Sequence, residues 1–207
     1  WFNSRPVHNN FYIERLFYIS NDCSMKDPFL YPGLRVLLLF FNEPYRDFHL
    51  REIAKLAKVS SSTAKRFLDF YNEKGFLQKQ RKANLVLFKA NLENPAFKHM
   101  KVSYFLMQSR LLAYYLREVY PDSSIVLYGS CARGEDDLQS DIDLLVISRK
   151  KEKAELGKFE KQFERRITLL AYTPHEWEEK ARSDRAVYER ILIDGIVLQG
   201  SLPVVKL

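Results

Sequence analysis

The sequence predicts an α/β (α+β) chain in two parts. The first is helical and ends in a β-hairpin; the second is a mixed sheet flanked by helices. Three observations predict this. Apolar residues recur at helical spacing between 32 and 73, then change to strand-like runs at 76–89 and again from 124. Proline interrupts the pattern at Pro44 and Pro121. The charge divides along with the pattern: residues 1–110 hold 18 Lys+Arg against 9 Asp+Glu, and residues 111–207 hold 15 against 17. The whole basic excess therefore lies in the first part, which suggests either a nucleic-acid-binding half joined to a different one or ordinary surface lysine.

Composition narrows the class further. The chain has 207 residues, 46% of them hydrophobic, enough for one large domain or two small ones with a real core. The apolar run Val36–Phe41 falls far short of the about 20 residues that cross a bilayer, so no membrane role is expected. Two cysteines, Cys23 and Cys131, make neither a disulfide framework nor a four-ligand zinc site. Sparse cysteine and no secretory signal point to a cytoplasmic location.

The chain starts at Trp1 and its first methionine is Met25, so residues 1–29 read as an extension or remnant. A buried helix over 32–41 ends at Asn42-Glu43-Pro44. A second helix covers about 48–57, with Leu50, Ile53, Ala54 and Ala57 on one face. After Lys58-Val59-Ser60, a third runs from about 61 to 73. Its apolar residues Ala64, Phe67, Leu68 and Tyr71 fall at i, i+3, i+4 and i+7. Ser60 or Ser61 caps it, and Gly75 ends it. Phe76–Gln80 and Leu85–Lys89 form a hairpin around Arg81–Asn84. Residues 96–118 are one long amphipathic helix or a pair. Strands follow at Ser124–Tyr128, Asp141–Ser148 and Ile167–Tyr172, with helices at 149–165 and 175–193. The domains are set at 30–92 and 122–207, with a linker helix over 93–121.

The helix, turn, helix and hairpin of 48–90 resemble the winged helix-turn-helix family. Ala54 is small where two helices would cross, Val59 is apolar in the turn, and the third helix opens on serines. The resemblance implies that the N-terminal end of this helix enters the major groove of double-stranded DNA. Ser61, Ser62, Lys65 and Arg66 then project outward, and Lys79, Arg81 and Lys82 charge the wing. Segment 48–90 carries 10 Lys+Arg against 3 Asp+Glu, which suits a phosphate backbone. A winged helix commonly works as a dimer on paired half-sites, so a homodimer is expected. The alternative is a packing or dimerisation module.

The most informative stretch is Ser124–Ile147, SIVLYGSCARGEDDLQSDIDLLVI. Side chains alternate along a strand, so Asp141 and Asp143 share one face, while Ile142, Leu144 and Val146 share the other. Paired carboxylates repel unless a cation lies between them, and a hard divalent ion, Mg2+ or Mn2+, suits their oxygens. Gly129 lets backbone approach a phosphate, and Ser130 can donate to one. Arg133 is a candidate phosphate clamp, or else pairs with Glu135, Asp136 or Asp137. Cys131 reads as a buried thiol with no base to activate it.

This stretch resembles the DNA polymerase β-like nucleotidyltransferase superfamily, in its minimal nucleotidyltransferase branch. The resemblance rests on Gly-Ser, Arg-Gly and Asp-x-Asp between apolar strands. It implies binding of a nucleoside triphosphate (NTP) through Gly129, Ser130 and Arg133, and a metal held by Asp141 and Asp143, which are also the catalytic pair. It further implies transfer of a nucleoside monophosphate to a hydroxyl of a protein, nucleic acid or small molecule, a partner toxin among the protein acceptors. The chain departs from the family at one position. Active members carry a third carboxylate on the strand after the next helix, where this chain has Thr168, in the run Thr168-Leu169-Leu170-Ala171-Tyr172-Thr173-Pro174. Glu176, Asp136 and Asp137 are substitutes to consider. Two readings stay open: a nucleotidyltransferase with a DNA-binding domain, or a DNA-binding regulator whose second domain senses a nucleotide or dimerises.

Overall fold

The computed structural model describes residues 31–150 and 152–205; the extension expected at 1–29 lies outside them. The chain divides into two compact units, one ending at Asn94 and one starting at Pro95. Each has its own sheet, in keeping with the α/β (α+β) class expected.

In the first unit, α1 (Pro32–Asn42) has proline in its first turn, where a missing N–H costs nothing. Val36 to Phe41 are all buried. Next comes β1 (Phe48–His49), where a helix start was expected. Phe48 pairs with Phe88 and His49 with Leu87, so this short segment adds to the sheet rather than to the helix. His49 remains extended, and its Nδ1 accepts the Glu52 N–H at 3.2 Å to cap α2 (Leu50–Leu56). Ile53, Ala54 and Leu56 form the buried face of α2.

Helix α3 (Ser61–Glu73) buries Ala64, Leu68 and Tyr71 and ends before Gly75, whose φ is +71°. Strands β2 (Leu77–Lys82) and β3 (Leu85–Ala90) follow. Their register runs from Leu77–Ala90 to Lys82–Leu85, so the turn is Ala83-Asn84 alone. Arg81 and Lys82, expected in the turn, belong to the strand instead. The sheet order is β1-β3-β2.

The second unit begins with α4 (Pro95–Gln108) and α5 (Arg110–Val119). Residues 95–119, expected as part of a linker, are thus a helix pair interrupted at Ser109. Phe105, Leu112 and Leu116 lie in the core of this unit. The sheet order is β6-β5-β4-β7, from β4 (Ser124–Tyr128), β5 (Ile142–Ile147), β6 (Ile167–Tyr172) and β7 (Ile196–Gln199). Only β5 and β6 run parallel; β4 is antiparallel to both β5 and β7. Between β4 and β5 lies the short α6 (Gly129–Arg133).

Both faces of this sheet are covered. Ile125, Leu127, Ile142, Leu144 and Val146 pack on one side with α5. Val126 and Leu145 pack on the other with Trp177, Tyr188 and Ile191. The helix expected over 149–165 shrinks to α7 (Gly157–Phe163). The segment before it is held by other bonds: Tyr120 Oη donates to Glu152 O at 2.8 Å, and Glu155 N donates to Tyr115 Oη at 2.8 Å. The expected last helix divides into α8 (Pro174–Ser183) and α9 (Arg185–Asp194) at Asp184. The Asp184 carboxylate accepts the Val187 N–H at 3.3 Å, a bond that starts a new helix. Strand β7 is an addition to the elements expected from the sequence. Among the described residues no helix is long and apolar enough to cross a membrane.

Ser60 Oγ accepts the Thr63 N–H at 3.1 Å and is the side-chain cap of α3. Ser60→Ala should cost the first unit about 1 kcal/mol. Urea denaturation followed at the first unit's transition measures this; an unchanged midpoint means the bond contributes nothing.

Candidate functional site

Chain geometry at the end of β4 brings the sequence-selected residues together. Tyr128 is extended and pairs with Asp143 across the β4/β5 ladder. The next residue, Gly129, has φ +74°, a conformation L side chains rarely adopt. A Cβ at Gly129 would collide with Asp143 Oδ2 and stand 3.2 Å from its Cγ. The backbone therefore lies directly against the carboxylate, and only glycine permits it. Gly134, φ +67°, ends α6 in the same way: a Cβ there would come within 2.6 Å of Lys98 O.

No side chain caps α6 at its N-terminus. At five residues the helix is too short for an appreciable macrodipole, so what it offers an anion is its first backbone N–H groups. Ser130 is half-buried, and its Oγ makes no hydrogen bond among the described residues.

The two aspartates stand where β5 begins. Asp143 is in the strand and Asp141 just precedes it, both half-buried. Neither carboxylate has a hydrogen-bond donor or an ion-pair partner among the described residues. Burial pushes the Asp143 carboxyl above the usual carboxylate range, and the neighbouring Asp141 charge pushes it further; Arg165 and Arg133 act in the opposite sense.

Across the parallel ladder, Asp143 pairs with Thr168. In parallel strands such partners point to the same face, so Thr168 presents its neutral hydroxyl beside Asp143. The other carboxylates considered are engaged. Glu176 Oε2 accepts the Thr173 N–H at 2.8 Å in the capping box of α8. Asp137 Oδ1 accepts from Gln139 N and Ser140 N, each at 2.9 Å, and shapes the loop. Asp136 is buried between Lys101 Nζ and Arg165 Nη1, the latter at 2.8 Å. Among the described residues no group of three or more His, Cys, Asp or Glu side chains surrounds a metal-sized space.

Arg133 donates to Glu135 Oε2 at 2.8 Å and to Asp194 Oδ2 at 3.0 Å. The first partner is one of the alternatives expected from the sequence; the second comes from α9, which no local pattern could connect to it. Cys131 is buried and free, and burial pushes its thiol up to about 12. Its Sγ receives Arg165 Nη2 at 3.0 Å. Lys101, Asp136 and Arg165 form a buried charge cluster that sequence reasoning does not single out. Long-range buried ion pairs leave no local signature; the hint available is a lysine on an otherwise buried helical face.

In the first unit Ser61, Ser62, Lys65 and Arg66 are exposed, as are Lys79, Arg81 and Lys82 on β2. Lys65 and Arg81 make no ion pair among the described residues. Lys82 pairs with Asp47 at 2.7 Å, Lys79 lies 3.8 Å from Asp69, and the Arg66 guanidinium stands 5.1 Å over the Phe67 ring. Strand β2 is an edge of its sheet, and its lysines also discourage edge-to-edge pairing.

Residues 109–197 match the family model of the nucleotidyltransferase domain. The second unit is thus similar to nucleotidyltransferase domains over most of its length. No curated protein matches the chain. Among solved structures, a MarR-family transcriptional regulator from Silicibacter pomeroyi is similar at 18% identity and a TM-score of 0.32. The likeness covers 42% of this chain and 62% of the regulator's.

A carboxyl pushed up on folding costs stability where it must ionise. The penalty is absent below the ordinary carboxylate range, at about pH 4, and grows to a plateau above the raised native value. Asp143→Asn should therefore raise the apo Tm of the second unit at neutral pH by about 1–2 °C. The gain should vanish at low pH. Calorimetry at both pH values checks this; a gain independent of pH excludes the charge explanation.

Proposed function

We propose that the second unit binds an NTP together with a divalent cation at the mouth formed by Gly129, Ser130, Asp141 and Asp143. The observation that carries this reading is the contact of Gly129 with Asp143. It sets uncapped backbone N–H groups for phosphate beside carboxylates for a cation, and both carboxylates lack a partner among the described residues. The donor set fits Mg2+ or Mn2+, since it consists of hard oxygens and the nearby thiol is protonated. Asp141 and Asp143 would hold the ion, with NTP oxygens completing its shell. When bound, the ion neutralises phosphate charge.

The chain's own residues do the rest. Gly129 gives the phosphates access to backbone, and Ser130 donates to one of them. Arg133 reaches a phosphate by exchanging Glu135 and Asp194 for it. In the transferase reading, the acceptor hydroxyl oxygen bonds to the α-phosphorus. The bond from that phosphorus to its bridging oxygen breaks, pyrophosphate leaves, and the hydroxyl proton passes to a base. The acceptor is a hydroxyl of a protein, such as a partner toxin, of a nucleic acid or of a small molecule.

Among the described residues no third, unengaged carboxylate stands beside the aspartate pair to serve as that base. Thr168 is neutral, and the alternatives Glu176, Asp136 and Asp137 are engaged elsewhere. A positioned base contributes about 10²–10⁴-fold in rate. Thr168 beside Asp143 thus favours a second reading, in which the bound nucleotide is sensed and transferred slowly or not at all. Both readings keep the first unit as a winged helix on duplex DNA, supported by the exposed polar start of α3 and the charge on β2. A homodimer on paired half-sites is the arrangement such a domain favours.

Two experiments test these assignments. Titration calorimetry should show magnesium-dependent NTP binding in the wild type and its loss in Asp141→Asn and Asp143→Asn; undiminished affinity in both variants would refute the site. With labelled NTP and cell extract, Thr168→Asp should raise transfer by about tenfold or more. It should also reduce apo stability, because it adds a third like charge. A fast wild-type enzyme unimproved by that change sinks the missing-base reading.

For the first unit, Lys65→Ala with Arg66→Ala should weaken duplex binding. The slope of log affinity against log salt should become shallower by about 2, close to one for each phosphate no longer neutralised. An unchanged slope removes α3 from the interface.

A further inference from the structure

Asp141 stands in an unusual place for a residue that must be aimed. The hydrogen-bonded ladder of β5 starts one residue later, with Ile142 N donating to Arg166 O at 2.9 Å. Ser140 and Asp141 therefore lack the strand pairing that fixes Asp143. Side chains hold their carbonyls instead: Cys131 Sγ donates to Asp141 O at 3.5 Å, and Arg165 reaches both carbonyls. Arg165 Nε donates to Ser140 O at 2.6 Å, and Arg165 Nη2 donates to Asp141 O at 3.3 Å. The same guanidinium donates through Nη1 to Asp136 Oδ2 at 2.8 Å and through Nη2 to Cys131 Sγ at 3.0 Å. Its side chain is 9% exposed.

Charge balance argues that Arg165 does more than neutralise Asp136. Lys101 already contacts that carboxylate through Nζ. One buried carboxylate needs one cation, and a second is costly to desolvate unless other groups use it. Here the surplus positive charge is directed at backbone carbonyls next to the aspartate pair. Lysine cannot replace the arrangement. An ammonium is a single point donor, whereas the planar guanidinium spans three directions at once.

We propose that Arg165 is a positioning residue, whose guanidinium fork fixes the Ser140 and Asp141 carbonyls and so holds the Asp141 carboxylate beside Asp143 for a cation–nucleotide complex. This rests on the NTP-binding reading above. It gives the turn before β6 a direct role in the geometry of a site carried by the start of β5. The role parallels that of the outer groups that orient metal ligands, whose loss typically lowers metal affinity by about 10–100-fold.

The test compares Arg165→Lys with Lys101→Met. Both disturb the pairing of Asp136, but only the first disturbs the two carbonyls. Manganese binding is followed by electron paramagnetic resonance in the presence of ATP, with GTP, CTP and UTP in parallel. Near-ultraviolet circular dichroism establishes that each variant is folded. Arg165→Lys should lower manganese–nucleotide affinity by about tenfold or more. Lys101→Met should lower Tm and leave that affinity within about threefold of wild type. Should Arg165→Lys fail to fold, Arg165→Gln, which keeps a donor for one carbonyl, is titrated in its place, with the same loss expected. Equal loss in the Arg165 and Lys101 variants would mean that Arg165 acts only through Asp136, and the proposal falls. Unchanged affinity in the Arg165 variant overturns it too. If wild-type protein binds no manganese–nucleotide complex, the NTP-binding reading fails first and the positioning role with it, an outcome separable from the other two.

Discussion

The second unit is organised around one buried carboxylate. Asp136 is 4% exposed and receives cations from two elements far apart in sequence, Lys101 on α4 and Arg165 just before β6. Burial lowers the affinity of Lys101 for its proton, and Asp136 offsets this only in part. Such a cluster adds little net stability over an apolar packing of equal volume, but removing one member leaves an uncompensated charge. Its value is in specifying one arrangement. With these three side chains in register, the loop from Gly134 to Asp141 has one path.

That path ends at two aspartates whose carboxylates have no partner among the described residues, and Asp143 lies against the backbone of Gly129. The sheet beneath is covered on both faces, so the strands that carry this edge are immobilised by packing. Local bonds fix the loop: Asp137 accepts from Gln139 and Ser140, and Arg165 takes the carbonyls of Ser140 and Asp141. Around this loop the carboxylates of Asp141 and Asp143 are left without a partner among the described residues.

Much of this is readable in the sequence because it depends on local spacing. The Gly-Ser turn and the Asp-x-Asp alternation follow from a turn that demands glycine and from a strand period of two, whereas the place of Thr168 is legible only through the resemblance of its strand to the family's. Helix α3 is legible from its serine cap and its apolar face. What escapes is set by tertiary partners. Phe48-His49 becomes a strand because β3 has an open edge to offer. Residues 152–156 give up their helix to bonds from Tyr115 and Tyr120. Strand β7 is short and finds its place through β4. Arg133 meets Asp194 across 61 residues of chain, and Asp136 meets Lys101 across 35 and Arg165 across 29. Periodicity does not register partners at such distances.

The order of strands also bears on how the chain is made. The first unit's sheet is complete once Ala90 has emerged from the ribosome, so that unit can fold while the rest is still being synthesised. The second sheet is not complete until Gln199. Its last strand lies against β4, the strand that leads into Gly129. Until then β4 exposes an unpaired edge rich in apolar residues, the kind of surface on which nascent chains aggregate. A premature stop just before Ile196 would therefore leave the Gly-Ser turn and both aspartates in the chain, yet uncover the strand that supports them.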